Sequence, residues 1–435
     1  MGKGTEAGFS LEEEFEREPV PEAQRKSLLS VAAVWFGFPL NLVPGIFGGV
    51  LAAMMGFRQA LLAILIGSVV LFVYVGALSY LAGKTGWNFA MLAERVFGRV
   101  GYRIVAGFLA TVVIGWFAFN SGATGSTIHE TFGWNERLVT LVACLVFVGI
   151  TVLGVRSLSV LGMLAAPLFV VAVCVTLALA MRGVSGTDIW NYPGAGGGTM
   201  SLGAGATLVI ATFADSGTMT ADFTRWSKNG RHALLATATA FPFANICAFV
   251  AGAVVVSCGV IGNPAVTGGN FVPVMAHGHG ALVTILALVF VLVSLGSVCA
   301  HCLYNGALGW SNLVGRKMRT LCLVLGAVAT VAAVAGVWSH FVDWLNLLGV
   351  FVPPIGAVMI IATLWAAKRR ETVSSAIAFA AYAIGAIAAG LVHYLAPEAG
   401  ETVVGMVAAA LAYAGLAAVT TARVPAELST MEEAR

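Results

Sequence analysis

The stretch "IATFADSGTMTADFTRW", residues 210–226, sets two carboxylates, Asp215 and Asp222, in a run that otherwise reads as membrane-spanning. Whether it spans depends on its surroundings, and these are apolar. Of 435 residues 59% are hydrophobic and only 10% are charged, with a mean hydropathy of +0.93. A soluble domain carries about 25% charged residues. Apolar runs of about the 17 to 25 residues that a helix needs to cross the hydrocarbon recur along the chain. Twelve are read, at 27–55, 58–83, 104–128, 137–155, 157–182, 203–224, 232–259, 281–308, 318–338, 341–366, 372–394 and 401–421. They are continuous rather than alternating, and each must close its own backbone hydrogen bonds in lipid, so helical spans are preferred over a barrel. The fold class expected is an all-α integral membrane protein of twelve transmembrane helices.

The basic residues orient it. Arg25 and Lys26 precede the first run. Lys84, Arg95, Arg99 and Arg103 follow the second, Arg156 the fourth, and Arg225, Lys228 and Arg231 the sixth. Arg316, Lys317 and Arg319 follow the eighth, and Lys368, Arg369 and Arg370 the tenth, while the alternate loops hold only Arg58, Arg137 and Arg182. The asymmetry predicts both termini in the cytoplasm and a multi-pass protein of the plasma membrane, the inner membrane of a bacterium. The net charge of +3 is then topological, and no nucleic-acid partner is expected. The partners expected are membrane lipid and a small-molecule substrate, with a monomer as the working unit. The tail "LEEEFEREPVPEAQRKS" (11–27) has no apolar core of its own and does not read as a signal peptide. The segment "NFAMLAERVFGRVGYR" (88–103) reads as a short interfacial helix or as a plain connector. Cys144, Cys174, Cys247, Cys258, Cys299, Cys302 and Cys322 lie within the apolar runs without metal-ligand spacing, as small core residues do.

Two runs carry helix breakers at bilayer depth. In "FGFPLNLVPGIFGG" (36–49), Pro39 and Pro44 each remove a backbone donor, and Gly45, Gly48 and Gly49 are expected to loosen the turn. In the sixth run the expected break is "DSG" (215–217). The first and sixth runs are equivalent if spans one to five and six to ten form repeats of opposite topology. Interrupted helices at matching places in two halves point to a transporter's substrate site. In "VVIGWFAFNSGATG" (112–125), Trp116 and Asn120 share a helix face, a pairing suited to a flat, hydrogen-bonding solute or to ordinary packing. In "VSLGSVCAHCLYNGALGW" (293–310), Ser294, Ser297, His301 and Asn305 form a polar stripe facing protein or water rather than lipid.

No Gly-x-Gly-Asp, His-Glu-x-x-His or Walker pattern occurs, which disfavours an enzyme and direct drive by ATP. The polar residues converge on one depth instead of ringing several spans as a channel's would. A charge at the centre of a span costs about 2.5 to 3.5 kcal/mol on insertion scales, so Asp215 is a functional candidate. Two roles are open, contact with the substrate, which is favoured, or uptake of a proton. Asp222, beside Arg225, reads as an ion pair or helix-end group. A coupled transporter of a flat, hydrogen-bonding solute leads, and a carrier of a small cationic nitrogen compound recognised by Asp215 is the alternative.

The stretches "PVPEAQRKS", "GWFAFN", "ATFADSGTMTADFTRW", "LYNGALGWSNLVG" and "VPPIGAVMI" resemble, in order through all twelve spans, the nucleobase:cation symporter family. The resemblance implies a leucine-transporter-type fold, with inverted repeats at 27–182 and 203–366, two further helices at 372–421, and tails at 1–26 and 422–435. It implies alternating access, substrates such as nucleobases, hydantoins and allantoin, coupling to sodium or protons, and no other cofactor. Carried over by residue, Trp116 and Phe213 stack on the two faces of the substrate ring. Asn120, Thr212, Asp215, Ser294 and Gly37 contact the substrate. Gly37, Leu40, Ser294 and Ser297 supply the sodium site. Val298 departs from the family's second threonine there, and Ser294 and Asp215 depart from the cytosine-binding pattern.

Overall fold

The computed structural model describes residues 14–195, 199–264, 269–369 and 373–422. Among the described residues the apolar runs are carried by helices, and eight stretches are long and apolar enough to cross a membrane by themselves. The first, fourth, sixth and ninth runs are carried by shorter helices.

The first run breaks as expected. One helix runs Leu28–Phe36, a second Leu42–Met55, and Gly37 to Asn41 lie between them. Asn41 caps the second helix, its side chain accepting from Val43 N (2.9 Å) and donating to the Phe38 carbonyl (2.7 Å). Pro44 sits in the first turn of that helix, where its missing N–H would be unpaired anyway. The glycines do not loosen the turn. Gly48 lies inside the regular second helix, where a Cβ would overlap the Phe249 carbonyl oxygen of the seventh span, Gly230–Ser257. Its role is close helix approach, which small residues permit in membranes.

The sixth run breaks two residues earlier than "DSG". Leu202–Ala211 ends at Thr212, and Phe213 takes a non-helical conformation (φ −133°, ψ 15°). Asp215 to Gly217 sit on the short helix Ala214–Thr218, followed by a second interruption at Met219 and Thr220 and the turn Ala221–Thr224. The segment 88–103 begins with a short helix, 89–97, which Gly98 in a non-helical conformation (φ 70°, ψ 175°) separates from the third span, 99–132.

The third span packs along the eighth, Ala281–Val314, and forms the frame of the bundle. The Leu42–Met55 helix packs on the seventh span, and Leu202–Ala211 packs on the second, Phe57–Thr85. The two pairings are related by an offset of five spans. The eleventh and twelfth spans, Ser375–Leu395 and Glu401–Ala422, pair with each other.

Residues 14–26 tie one end of the bundle together. Arg225 donates to the carbonyls of Glu14 and Phe15 (both 2.7 Å), and Arg25 donates to those of Gly83 (3.0 Å) and Lys228 (3.3 Å). Glu14 accepts from Tyr304 (2.8 Å) and from the Val155 N–H (3.0 Å), and Glu16 from the Met318 N–H (3.2 Å). The basic loops after the second, fourth, sixth and eighth spans thus share one end with the N-terminal segment, as an alternating topology requires. Burial pushes the Glu14 carboxyl above the usual carboxylate range, against the opposing pull of Tyr304, Val155 and Arg225.

Candidate functional site

The two interruptions face each other across a narrow cavity of about 10 Å³, room for about one water molecule. Phe38, Asn41 and Val43 enter it from the first span, Trp116 and Asn120 from the third, Thr212, Phe213 and Ser216 from the sixth, and Val298 and Cys302 from the eighth. Asn120 is held by its own helix, Nδ2 donating to the Trp116 carbonyl (2.8 Å), which leaves the amide oxygen as the end able to accept. The Thr212 hydroxyl donates to the Leu208 carbonyl (2.7 Å). Phe213 is set by the break, and its ring meets Phe38 edge-on (5.3 Å between centroids, 63°) and leans on Phe241 (5.4 Å). The walls are therefore three aromatic side chains, Phe38, Trp116 and Phe213, with the Asn120 amide and the Thr212 hydroxyl among them, groups of the kind that pack on a flat ring with polar edges.

Four of the predicted substrate residues, Trp116, Asn120, Thr212 and Phe213, come together here. Three do not line the cavity. Gly37 ends the Leu28–Phe36 helix against the fifth span, Val155–Ala180, where a Cβ would lie 2.6 Å from the Gly162 Cα. Ser294 is buried within the eighth span, its hydroxyl at 3.5 Å from the Val291 carbonyl. Asp215 is 1% exposed and turned away from the cavity wall, although Phe213 and Ser216 on either side of it reach that wall. The short helix explains this. Residues two before and one after share its cavity face, and position 215 falls on another.

Of the expected sodium ligands, Leu40 lies in the first-span break and is buried. The Ser297 hydroxyl is buried with no hydrogen-bond partner among the described residues, which suits a hard-cation ligand. Val298 offers methyl groups to the cavity instead. His301, one turn on, has Nδ1 at 2.6 Å from the Ser297 carbonyl and Nε2 at 2.9 Å from that of Val34. Asp222 is a helix-end group. Its Oδ1 accepts from the Phe89 N–H (2.8 Å) at the start of the short helix that precedes the third span.

Five lining residues were missed. Asn41 carried a usable signal, an Asx residue between two prolines at a helix start. Phe38 and Val43 flank that break without polarity to mark them. Ser216 was overshadowed by its neighbour Asp215, and Cys302 reads as core on any periodicity.

The sequence model of permeases for cytosine/purines, uracil, thiamine and allantoin matches residues 19–416. The chain belongs to this permease family. It is 28% identical over 399 residues to the cytosine permease of Escherichia coli (strain K12), a match covering 89% of this chain and 90% of that one. Among solved structures, the permease is similar to MHP1, a nucleobase-cation-symport-1 family transporter closed with bromovinylhydantoin bound. The TM-score is 0.76 at 20% identity, covering 91% of this chain and 93% of that one. It is also similar to a Na+-coupled sialic acid symporter in a substrate-bound outward-open state, with TM-score 0.64, 13% identity, and coverage of 90% and 89%. The fold is therefore the leucine-transporter type, and the permease is a multi-pass membrane transporter rather than an enzyme.

Proposed function

We propose that this permease is a cation-coupled secondary transporter that imports a small planar nitrogen heterocycle, a nucleobase or a related ring, by alternating access. The observation that carries the reading is the cavity between the two interrupted helices, walled by Trp116 and Phe213 with Asn120 and Thr212 at its polar edges. A flat ring between these plates gains stacking of about 1 to 3 kcal/mol. Asn120 Oδ1 accepts from a ring N–H, and Ser216 and Asn41 are further polar contacts. The spans 27–182 and 203–366 act as inverted repeats, and movement at the two breaks opens the cavity to one side at a time.

The relatives support a heterocycle. The E. coli relatives are cytosine permeases, and the similar solved transporter holds a hydantoin. A cationic substrate held by Asp215 is disfavoured, because that carboxyl does not line the cavity. The coupling cation is carried with the substrate. A sodium site built on Leu40 and Ser297 would be short of oxygen ligands at Val298. The orientation follows the basic loops, with both termini cytoplasmic in the inner membrane.

The test is a thermal-shift screen of the purified permease against cytosine, uracil, purines, hydantoins, allantoin and guanidinium compounds. Each hit is followed by uptake into liposomes. Stabilisation and uptake of one or more of the neutral rings are expected. Response to guanidinium compounds alone would reverse the assignment.

A further inference from the structure

Asp215 is not accounted for by the cavity. It is buried beside the interruption of the sixth run, and no side chain among the described residues donates to either carboxyl oxygen, the nearest donors being the backbone N–H groups of Asp215 itself and Ser216. The elements packed around its helix, Ala214–Thr218, are the second, third and tenth spans. Among described residues, the titratable groups that feel its charge are Tyr74 of the second span and Cys302 of the eighth. Both are neutral acids, and Tyr74 is committed to the Thr218 hydroxyl. No counter-charge among the described residues therefore compensates a carboxylate anion at this position. His301, on the eighth span, is engaged instead with the Ser297 and Val34 carbonyls. An ionised carboxylate without a counter-charge inside a membrane protein is a costly way to hold this side chain, whereas the neutral carboxyl avoids that cost.

We propose that Asp215 is the proton-binding site of the permease: the closed arrangement holds its carboxyl protonated, and the proton leaves to water when the short helix that carries it moves. The step balances as Asp215–COOH giving Asp215–COO⁻ and one hydrated proton, with no other bond broken. The helix is placed for the task. It is bounded by interruptions at Phe213 and at Met219 and Thr220, and it presents Ser216 to the cavity on its neighbouring face. Occupancy of the cavity and exposure of Asp215 are thus properties of one five-residue element. The inference rests on the transporter reading for its consequence, but the protonation itself does not depend on which solute is carried.

Two measurements separate the parts. Infrared difference spectra of the full-length permease at neutral pH, in light and heavy water, report the C=O band of a protonated carboxyl. The wild type is expected to show a band that disappears in Asp215→Asn and persists in Asp222→Asn and Glu14→Gln. A wild type lacking any band that Asp215→Asn removes would overturn the proposal. In liposomes, with cytosine and hydantoin as probes, Asp215→Asn is expected to retain exchange of internal for external probe while accumulation driven by a pH gradient falls to the equilibrium level. Retained gradient-driven accumulation in Asp215→Asn, or its loss in His301→Gln but not in Asp215→Asn, would overturn the coupling role. If neither probe is transported by the wild type, the substrate reading fails and the infrared result still decides the protonation. If Asp215→Asn does not fold, Asp215→Glu is expected to keep a carboxyl band at a shifted position, and an unshifted band would count against the assignment.

Discussion

Trp116 and Phe213 reach one cavity from different spans, and the strength of the site lies in that pair. Replacing Trp116 by Ala removes one plate. With stacking worth about 1 to 3 kcal/mol, the Kd for a heterocycle is expected to rise about 5- to 150-fold. Calorimetric titration measures this, and an unchanged Kd would remove Trp116 from the site. Beside the cavity, Val298 stands where a second hydroxyl would complete an oxygen set with Ser297. Val298→Thr is therefore expected to increase the sodium dependence of uptake, measured by replacing external sodium with choline at fixed pH. A variant with the same sodium dependence as the wild type would show that the cradle lies elsewhere.

The elements show which features of the sequence had force. Helical spans and the first-span break were legible because apolar length and the pair Pro39 and Pro44 act locally, within one helix. The sixth-span break was misplaced because its cause is the conformation of Phe213, a residue with no intrinsic tendency to break a helix. For the same reason Asp215 was assigned to the cavity. Its depth is a property of composition, but its direction depends on a two-residue shift of a short helix. Gly48 was read as a loosening residue, since nothing in a single helix marks a glycine that faces the Phe249 carbonyl of another. Gly48→Val is expected to force the Leu42–Met55 helix off the seventh span at a cost of about 1 to 3 kcal/mol, lowering the melting temperature in detergent. An unchanged melting temperature would contradict that close approach.

At the scale of the whole molecule, the N-terminal segment closes one end of the bundle through Glu14, Arg25 and Arg225. Burial raises the Glu14 pKa above its unfolded value of 4.5, so the folded chain binds this proton more tightly than the unfolded chain. The contribution to stability is complete below 4.5 and declines as pH rises through the folded value. Glu14→Gln is neutral throughout, so the melting temperature of that variant relative to wild type is expected to climb with pH across this window. A difference independent of pH would contradict the burial argument. The orientation is tested by fusing reporters to each terminus and labelling a cysteine placed beside Arg58. Cytoplasmic termini and an externally reactive cysteine are expected.

The central claim is that a planar heterocycle binds between the two interrupted helices. Its most direct measurement is protection of Cys302, on the cavity wall, from alkylation in a variant lacking the other six cysteines. A transported ring is predicted to slow labelling of Cys302, and to lose that effect when Trp116 is replaced by Ala. Labelling of Cys302 at the same rate with and without a transported ring would contradict the account.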